Sequence, residues 1–194
     1  MSCADAVNGG SCPQRAGDGD GIGAAAVTAD VSDTVASPRA AVHGIVLTAG
    51  SVLRADDAAG PVLARRMEES PVEGWEAIDG GQTPEDDIIA IRRARPAELW
   101  LVDAADMALP AGSIRRLSQS DVAAKGMFTT HSMPLTFLIS ELEEICPELV
   151  FIGIQPGTTE FYGPMTPAVR DAVDEVYEAV RDGGDAARFA PLCD

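Results

Sequence analysis

Short apolar runs bounded by glycine or polar residues alternate along this chain with segments in which apolar residues recur every three or four positions. Runs of this kind are typical of strands buried on both faces of a sheet, and the second pattern is typical of helices with one buried side. The predicted strands lie at 45–47, 75–78, 99–102 and 149–154, with a short edge strand at 113–117.

A helical pattern follows the first two strands, the edge strand and the last strand. The predicted helices begin near Gly60, Thr83, Pro134 and Thr166. Thr83 is expected to cap its helix through the side-chain hydroxyl, and this helix is expected to bury Ile88, Ile89 and Ile91. Strands that alternate with helices predict an α/β fold: a single domain with a mostly parallel twisted sheet and helices on both faces.

The chain is not uniform from end to end. Residues 1–40 are rich in glycine, alanine, serine and aspartate, and they carry few large apolar side chains, which predicts a disordered N-terminal extension. The folded domain is expected at 41–182, followed by a frayed tail at 183–194. The 194 residues, 46% of them hydrophobic, are enough for one domain with a full core.

Charge and cysteine usage narrow the class of protein. The net charge of -17 repels phosphate backbones and anionic membranes, so nucleic acid is not expected as a partner. No apolar stretch reaches the roughly 18 residues of a membrane helix, and no export leader is evident, so we expect no membrane insertion and a cytoplasmic location. The four cysteines form no paired motif, and Cys146 is expected to be a buried thiol.

Several polar residues fall just after predicted strands or just before predicted helices. They are Asp57, Asp79, Asp103, His131 and Gln155. Because parallel strands gather their carboxyl ends along one edge, several of these side chains are expected to meet there. Two carboxylates and one imidazole suit a borderline divalent ion such as nickel, zinc, iron or cobalt, although each acid alone could equally serve a helix start or a turn.

Other chemistries fit the same residues less well. Ser132 is adjacent to His131 in the chain, but adjacent side chains seldom face each other, so a serine triad has little support. A receiver-like phosphorylation switch would use Asp57 and Asp103 around Mg²⁺. Such a switch also needs a lysine after the last strand, where this chain has Gln155.

Five ordered motifs resemble those of the hydrogenase maturation endopeptidases. They are Gly50-Ser51 with Asp56-Asp57, Asp79-Gly80-Gly81, Val102-Asp103-Ala104, the segment 130–135, and the segment 153–156. The resemblance extends from about Val42 to Val180. It is closest to the branch that processes hydrogenase 3 of the formate-hydrogenlyase type, through the segments 83–88, 103–107 and 161–166.

This resemblance implies a single α/β domain that removes a C-terminal extension from the nickel-loaded large-subunit precursor of a [NiFe] hydrogenase. The family's metal-contacting positions correspond to Asp57, Asp103 and His131, with Asp79 expected to support the crevice. Nickel is expected to arrive in the precursor, which is the expected partner, rather than to be held permanently. A non-catalytic nickel-binding or chaperone relative is the alternative reading of the same fold.

The chain departs from the family pattern around the first acidic pair. The family usually has asparagine after the first glycine and glycine on both sides of the pair, whereas this chain has Ser51, Ala55 and Ala58. Glycine permits backbone angles that alanine resists. We therefore expect the loop around Asp57 to be where this chain differs most from its relatives.

Overall fold

The computed structural model describes residues 43–125 and 134–192. Its strands are β1 (Gly44–Thr48), β2 (Trp75–Asp79), β3 (Glu98–Ala104), β4 (Ile114–Leu117) and β5 (Leu149–Ile154). Its α-helices are α1 (Ala59–Glu69), α2 (Ile88–Ala94), α3 (Gln119–Lys125), α4 (Leu135–Ile145) and α5 (Pro167–Arg181). Short 3-10 helices cover Ala55–Ala58, Pro84–Asp87 and Ala186–Arg188.

The five strands form one sheet in the order β2-β1-β3-β5-β4. Strands β2, β1, β3 and β5 are parallel, and β4 pairs antiparallel with β5 at the edge. The register places Thr48 opposite Asp79 on one side and Val102 on the other. This arrangement confirms the predicted mostly parallel sheet and its short edge strand.

Each face of the sheet is covered by its own helices. Helices α1 and α5 pack against one face, where Leu63 and Val176 join Trp100 in one apolar cluster. Helices α2, α3 and α4 cover the opposite face, where Ile91 and Leu142 belong to the second cluster. Consecutive strands that are joined by right-handed crossovers are expected to produce these two layers of helix.

Two details of the second predicted helix are wrong. Thr83 precedes a 3-10 helix, and its hydroxyl makes no capping hydrogen bond there. Ile91 is buried as expected, but Ile89 is 63% exposed. Ile88 and Ile91 are three positions apart and share one face of α2, whereas Ile89 lies about 100° or more around the helix axis from each of them, so its side chain points away from the core.

The sequence predicts a frayed segment after α5, and the structure contradicts this prediction. Phe189 is buried, and its ring lies 6.5 Å from that of Trp100. The Arg116 N–H donates to the Ala190 carbonyl at 3.0 Å, and the Leu192 N–H donates to the Arg116 carbonyl at 2.9 Å. Residues up to 192 thus cover the outer edge of β4, which would otherwise present unpaired backbone groups.

Three further predictions concern Cys146, membrane-spanning helices and the N-terminal extension. Cys146 is a buried free thiol, as predicted, and burial raises its pKa. Within the described ranges, no helix is long and apolar enough to cross a membrane. The extension at 1–40 lies outside the described residues.

Candidate active site

The strand order of the sheet reverses between β1 and β3, and the ligand crevice is therefore expected at the carboxyl ends of these two strands. These strands are neighbours, but the helices that follow β1 and precede β3 pack on opposite faces of the sheet. A sheet of this kind has its ligand crevice at the point where the strand order reverses. Asp57 follows β1 and Asp103 is the sixth residue of β3, so both acids flank this crevice.

A tight loop positions Asp57. Gly50 has φ +131°, and a Cβ atom there would lie 2.0 Å from the carbonyl oxygen of Asp57. That carbonyl accepts from the Ser51 N–H at 3.1 Å, and the Asp57 N–H donates to the Arg54 carbonyl at 2.8 Å. Only glycine allows this approach, so Gly50 fixes the backbone that carries Asp57.

Asp56 has a different role from its neighbour. Its fully buried carboxylate accepts from the N–H groups of Gly157 at 2.8 Å, Thr158 at 3.1 Å and Thr166 at 2.6 Å. The Thr166 hydroxyl adds a fourth bond at 3.0 Å. Asp56 therefore holds both ends of the segment 157–166, and Asp57 is the member of the pair that remains a candidate for metal contact.

Asp103 is buried within the sheet at the same edge. It lies opposite Gly153 of β5, and the Ala49 N–H donates to the carbonyl of Val102 beside it at 2.9 Å. The 3-10 helix that contains Asp57 packs against β3. The structure thus brings the elements that carry the two predicted acids together.

Gln155 braces the segment directly after β3. Its Oε1 accepts from the N–H groups of Met107 at 2.6 Å and Leu109 at 3.2 Å. Its Nε2 donates to the Asp106 carboxylate at 3.2 Å and to the Pro156 carbonyl at 3.1 Å. With both ends of the amide used in this way, Gln155 is a structural residue. It also supplies no cation of the kind that a phosphorylation switch requires.

Asp79 lies on the other side of β1 from Asp103. Its exposed carboxylate accepts from the Gly81 N–H at 3.1 Å, and it lines a cavity of about 190 Å³ together with residues of the loop after β1. Asp87 lies nearby. Burial of the Asp87 carboxyl group is the main cause that raises its pKa, and the negative charges of Asp86 and then Asp79 raise it further. Asp79 therefore contributes to the wall and the negative charge of this edge.

The third candidate ligand, His131, lies outside the described residues. Among residues 43–125 and 134–192, no three histidine, cysteine or acidic side chains are grouped closely enough to hold a metal ion. A three-ligand site that includes Asp57 and Asp103 would therefore need a donor from elsewhere, either from this chain or from a bound protein.

The two alanines beside the acidic pair differ in backbone conformation. Ala55 has φ +38°, a left-handed value that favours glycine, whereas Ala58 has φ -74° and ψ 1°, which alanine adopts readily. A left-handed conformation costs a non-glycine residue about 1–2 kcal/mol. Of the two glycine-to-alanine departures, only the one at Ala55 strains the loop that carries Asp57.

Comparisons with known proteins agree on one family. Residues 61–182 match the family HycI, described as hydrogenase maturation protease. The chain is 45% identical over 148 residues to the hydrogenase 3 maturation protease of Escherichia coli K12, covering 76% of this chain and 95% of that protein.

Solved structures give the same result. A crystal structure of the hydrogenase 3 maturation protease superposes with a TM-score of 0.74 at 44% identity, over 79% of this chain and 99% of that chain. A solution structure of the endopeptidase HycI from Escherichia coli has a TM-score of 0.71 at 44% identity, over 77% of this chain and 96% of that chain.

The chain belongs to the hydrogenase maturation protease family. It is an endopeptidase of hydrogenase maturation, which confirms the activity and the fold that the motif resemblance implied. The family match includes Asp103 and His131, and Asp57 lies just before it.

Proposed function

We propose that this endopeptidase removes the C-terminal extension of the large-subunit precursor of a [NiFe] hydrogenase, and that Asp57, Asp103 and His131 contact nickel carried by that precursor. The observation that supports the proposal is the position of two buried acids, Asp57 just after β1 and Asp103 near the end of β3, at the carboxyl edge of two neighbouring strands. The similarity to hydrogenase 3 maturation proteases supplies the class of substrate.

The donor set fits a nickel ion that arrives with its own ligands. Two carboxylates and an imidazole are oxygen and nitrogen donors, which a borderline divalent ion accepts, and three ligands leave coordination positions for the precursor. A carboxylate in a buried site also gains more from a nearby cation than one in bulk water does. A divalent ion bound in this way supplies Lewis-acid polarisation of a carbonyl group or activation of water.

The proposal is tested by the mass of the large subunit. The protein is incubated with nickel-loaded precursor and with the same precursor prepared without nickel, and both products are weighed by intact-protein mass spectrometry. We expect loss of a C-terminal peptide from the nickel-loaded precursor only. Equal shortening of the nickel-free precursor would overturn nickel sensing, and binding without shortening is the result expected of a non-catalytic chaperone.

We also propose that the protein acts in the cytoplasm. Cys146 is a buried free thiol, which is compatible with a reducing compartment. Cell fractionation followed by immunoblotting checks this proposal, and recovery of the protein in the membrane or periplasmic fraction would contradict it.

A further inference from the structure

Two loops beside the crevice expose large apolar side chains. Val52 is 69% exposed and Leu53 is 47% exposed in the loop after β1. Phe161 is 62% exposed and Tyr162 is 83% exposed in the loop after β5. Exposed apolar residues that cluster in this way commonly mark a site of protein–protein contact.

Contacts between the two loops make these four residues one surface. The Tyr162 N–H donates to the Leu53 carbonyl at 2.8 Å. The Arg54 guanidinium lies 4.5 Å from the centre of the Phe161 ring, which lies 6.2 Å from the Tyr162 ring. We use the name apolar surface for Val52, Leu53, Phe161 and Tyr162. The Phe161 ring and the backbones of Leu53 and Tyr162 are thus positioned before any partner binds, which lowers the entropic cost of binding.

The apolar surface is directly connected to the candidate metal-contacting loop. Asp56 binds Gly157 and Thr166, so it holds both ends of the segment that carries the two aromatic residues. The Asp56 N–H also donates to the Thr158 carbonyl at 3.1 Å. Asp57 is the next residue in the chain. A protein that brings its metal ion to Asp57 must therefore also lie close to the apolar surface.

We propose that the apolar surface is the docking site for the folded large-subunit precursor, which we expect to present an apolar patch with basic residues around it. This inference rests on the proposed function. Continuity with Asp57 favours the precursor as the occupant. Charge favours a basic rim, because the chain carries a net charge of -17, and Asp79 and Glu160 are exposed beside the two loops.

The test compares the double variant Phe161→Ala/Tyr162→Ala with Ile89→Ala. Ile89 is a matched control, because it is 63% exposed and lies on α2. Helix α2 packs on the face of the sheet opposite to α1 and α5, the helices that follow the two loops. Tail removal from nickel-loaded precursor is followed over a range of precursor concentrations. We expect KM to rise at least tenfold in the double variant with kcat within about threefold, because aromatic anchors dominate many interfaces. Ile89→Ala should stay within twofold in both constants.

A second variant and a second measurement complete the test. Val52→Asn, on the other loop, should also raise KM, and circular dichroism should show that each variant retains the fold, since the changed side chains are exposed. An unchanged KM in both surface variants, with wild-type cleavage intact, would overturn docking while leaving the proposed function in place. Failure of the wild type to shorten the precursor would instead overturn the proposed function. Sedimentation that shows a wild-type dimer and a monomeric double variant, with KM unchanged, would assign the surface to self-association and also overturn docking.

Discussion

Replacing Asp56 with alanine removes a fully buried carboxylate that accepts four hydrogen bonds. Three of the donors are backbone N–H groups, which cannot turn away to another acceptor without moving the segment 157–166. Hydrogen bonds to charged groups each contribute about 1.5–3 kcal/mol, and a buried donor left without an acceptor costs about 1–3 kcal/mol. Such contributions within one network are not additive.

We expect Asp56→Ala to lower the free energy of unfolding by about 4–5 kcal/mol, near the upper end for single substitutions. For a domain of this size, each kcal/mol corresponds to about 2–4 °C in Tm, so Tm should fall by about 8–20 °C. Urea denaturation and thermal melts measure the change. Asp171→Asn, an exposed acid on α5, is the control and should stay within about 0.5 kcal/mol of the wild type.

Hydrogen exchange gives a local readout of the same substitution. The amides of Gly157, Thr158 and Thr166 should lose protection in Asp56→Ala more than amides of the central strand β3 do. A loss of stability below about 1 kcal/mol, together with unchanged protection at these three amides, would refute the reasoning that Asp56 holds this segment in place.

Three further substitutions test the loop and its surroundings. Gly50→Ala places a Cβ atom 2.0 Å from the Asp57 carbonyl oxygen at a positive φ, so precursor cleavage should fall at least tenfold, as a mass-spectrometric time course would show. Ala55→Gly removes the strain of a left-handed alanine, but it also removes a buried methyl group and adds conformational entropy to the unfolded chain, so the free energy of unfolding should stay within about 1 kcal/mol of the wild type. The control for this substitution is Ala64→Gly, inside α1, which should lower the free energy of unfolding by about 2 kcal/mol in urea denaturation. Asp87 has a raised pKa in the folded state, so the free energy of unfolding falls as pH rises from the unfolded-state pKa through the folded-state pKa. Asp87→Asn should therefore raise Tm at pH 7 and leave it unchanged at about pH 3, and a gain of equal size at both pH values would contradict this.

Most of the fold follows from local sequence patterns. Val46 and Leu47 in β1, and Leu99 to Val102 in β3, form continuous apolar runs, and such runs predict buried strands whatever their neighbours are. Helix α3 gives a weak signal, because Val122 is the apolar residue that it contributes to the core. Phe189 likewise has no large apolar residue directly beside it in the sequence, and its burial depends on the position of Trp100 in the folded chain.

The candidate site was only partly predictable. Strand ends identified Asp57 and Asp103 because parallel strands share a carboxyl edge. The family resemblance selected Asp57 as the metal contact, but the hydrogen bonds that Asp56 accepts could not be predicted, since the two acids are adjacent in one 3-10 helix and the donors come from distant parts of the chain. Thr166, which binds Asp56, is 110 residues away in sequence, and no local pattern connects them.

The central claim is that this protein contacts nickel inside the precursor, and X-ray absorption at the nickel edge tests it most directly. Spectra are recorded for nickel-loaded precursor alone and with the protein, frozen before tail removal is complete. We expect additional oxygen or nitrogen ligands to nickel with the wild type, and fewer of them with Asp103→Asn. An unchanged nickel spectrum in a complex that goes on to lose its tail would contradict the claim.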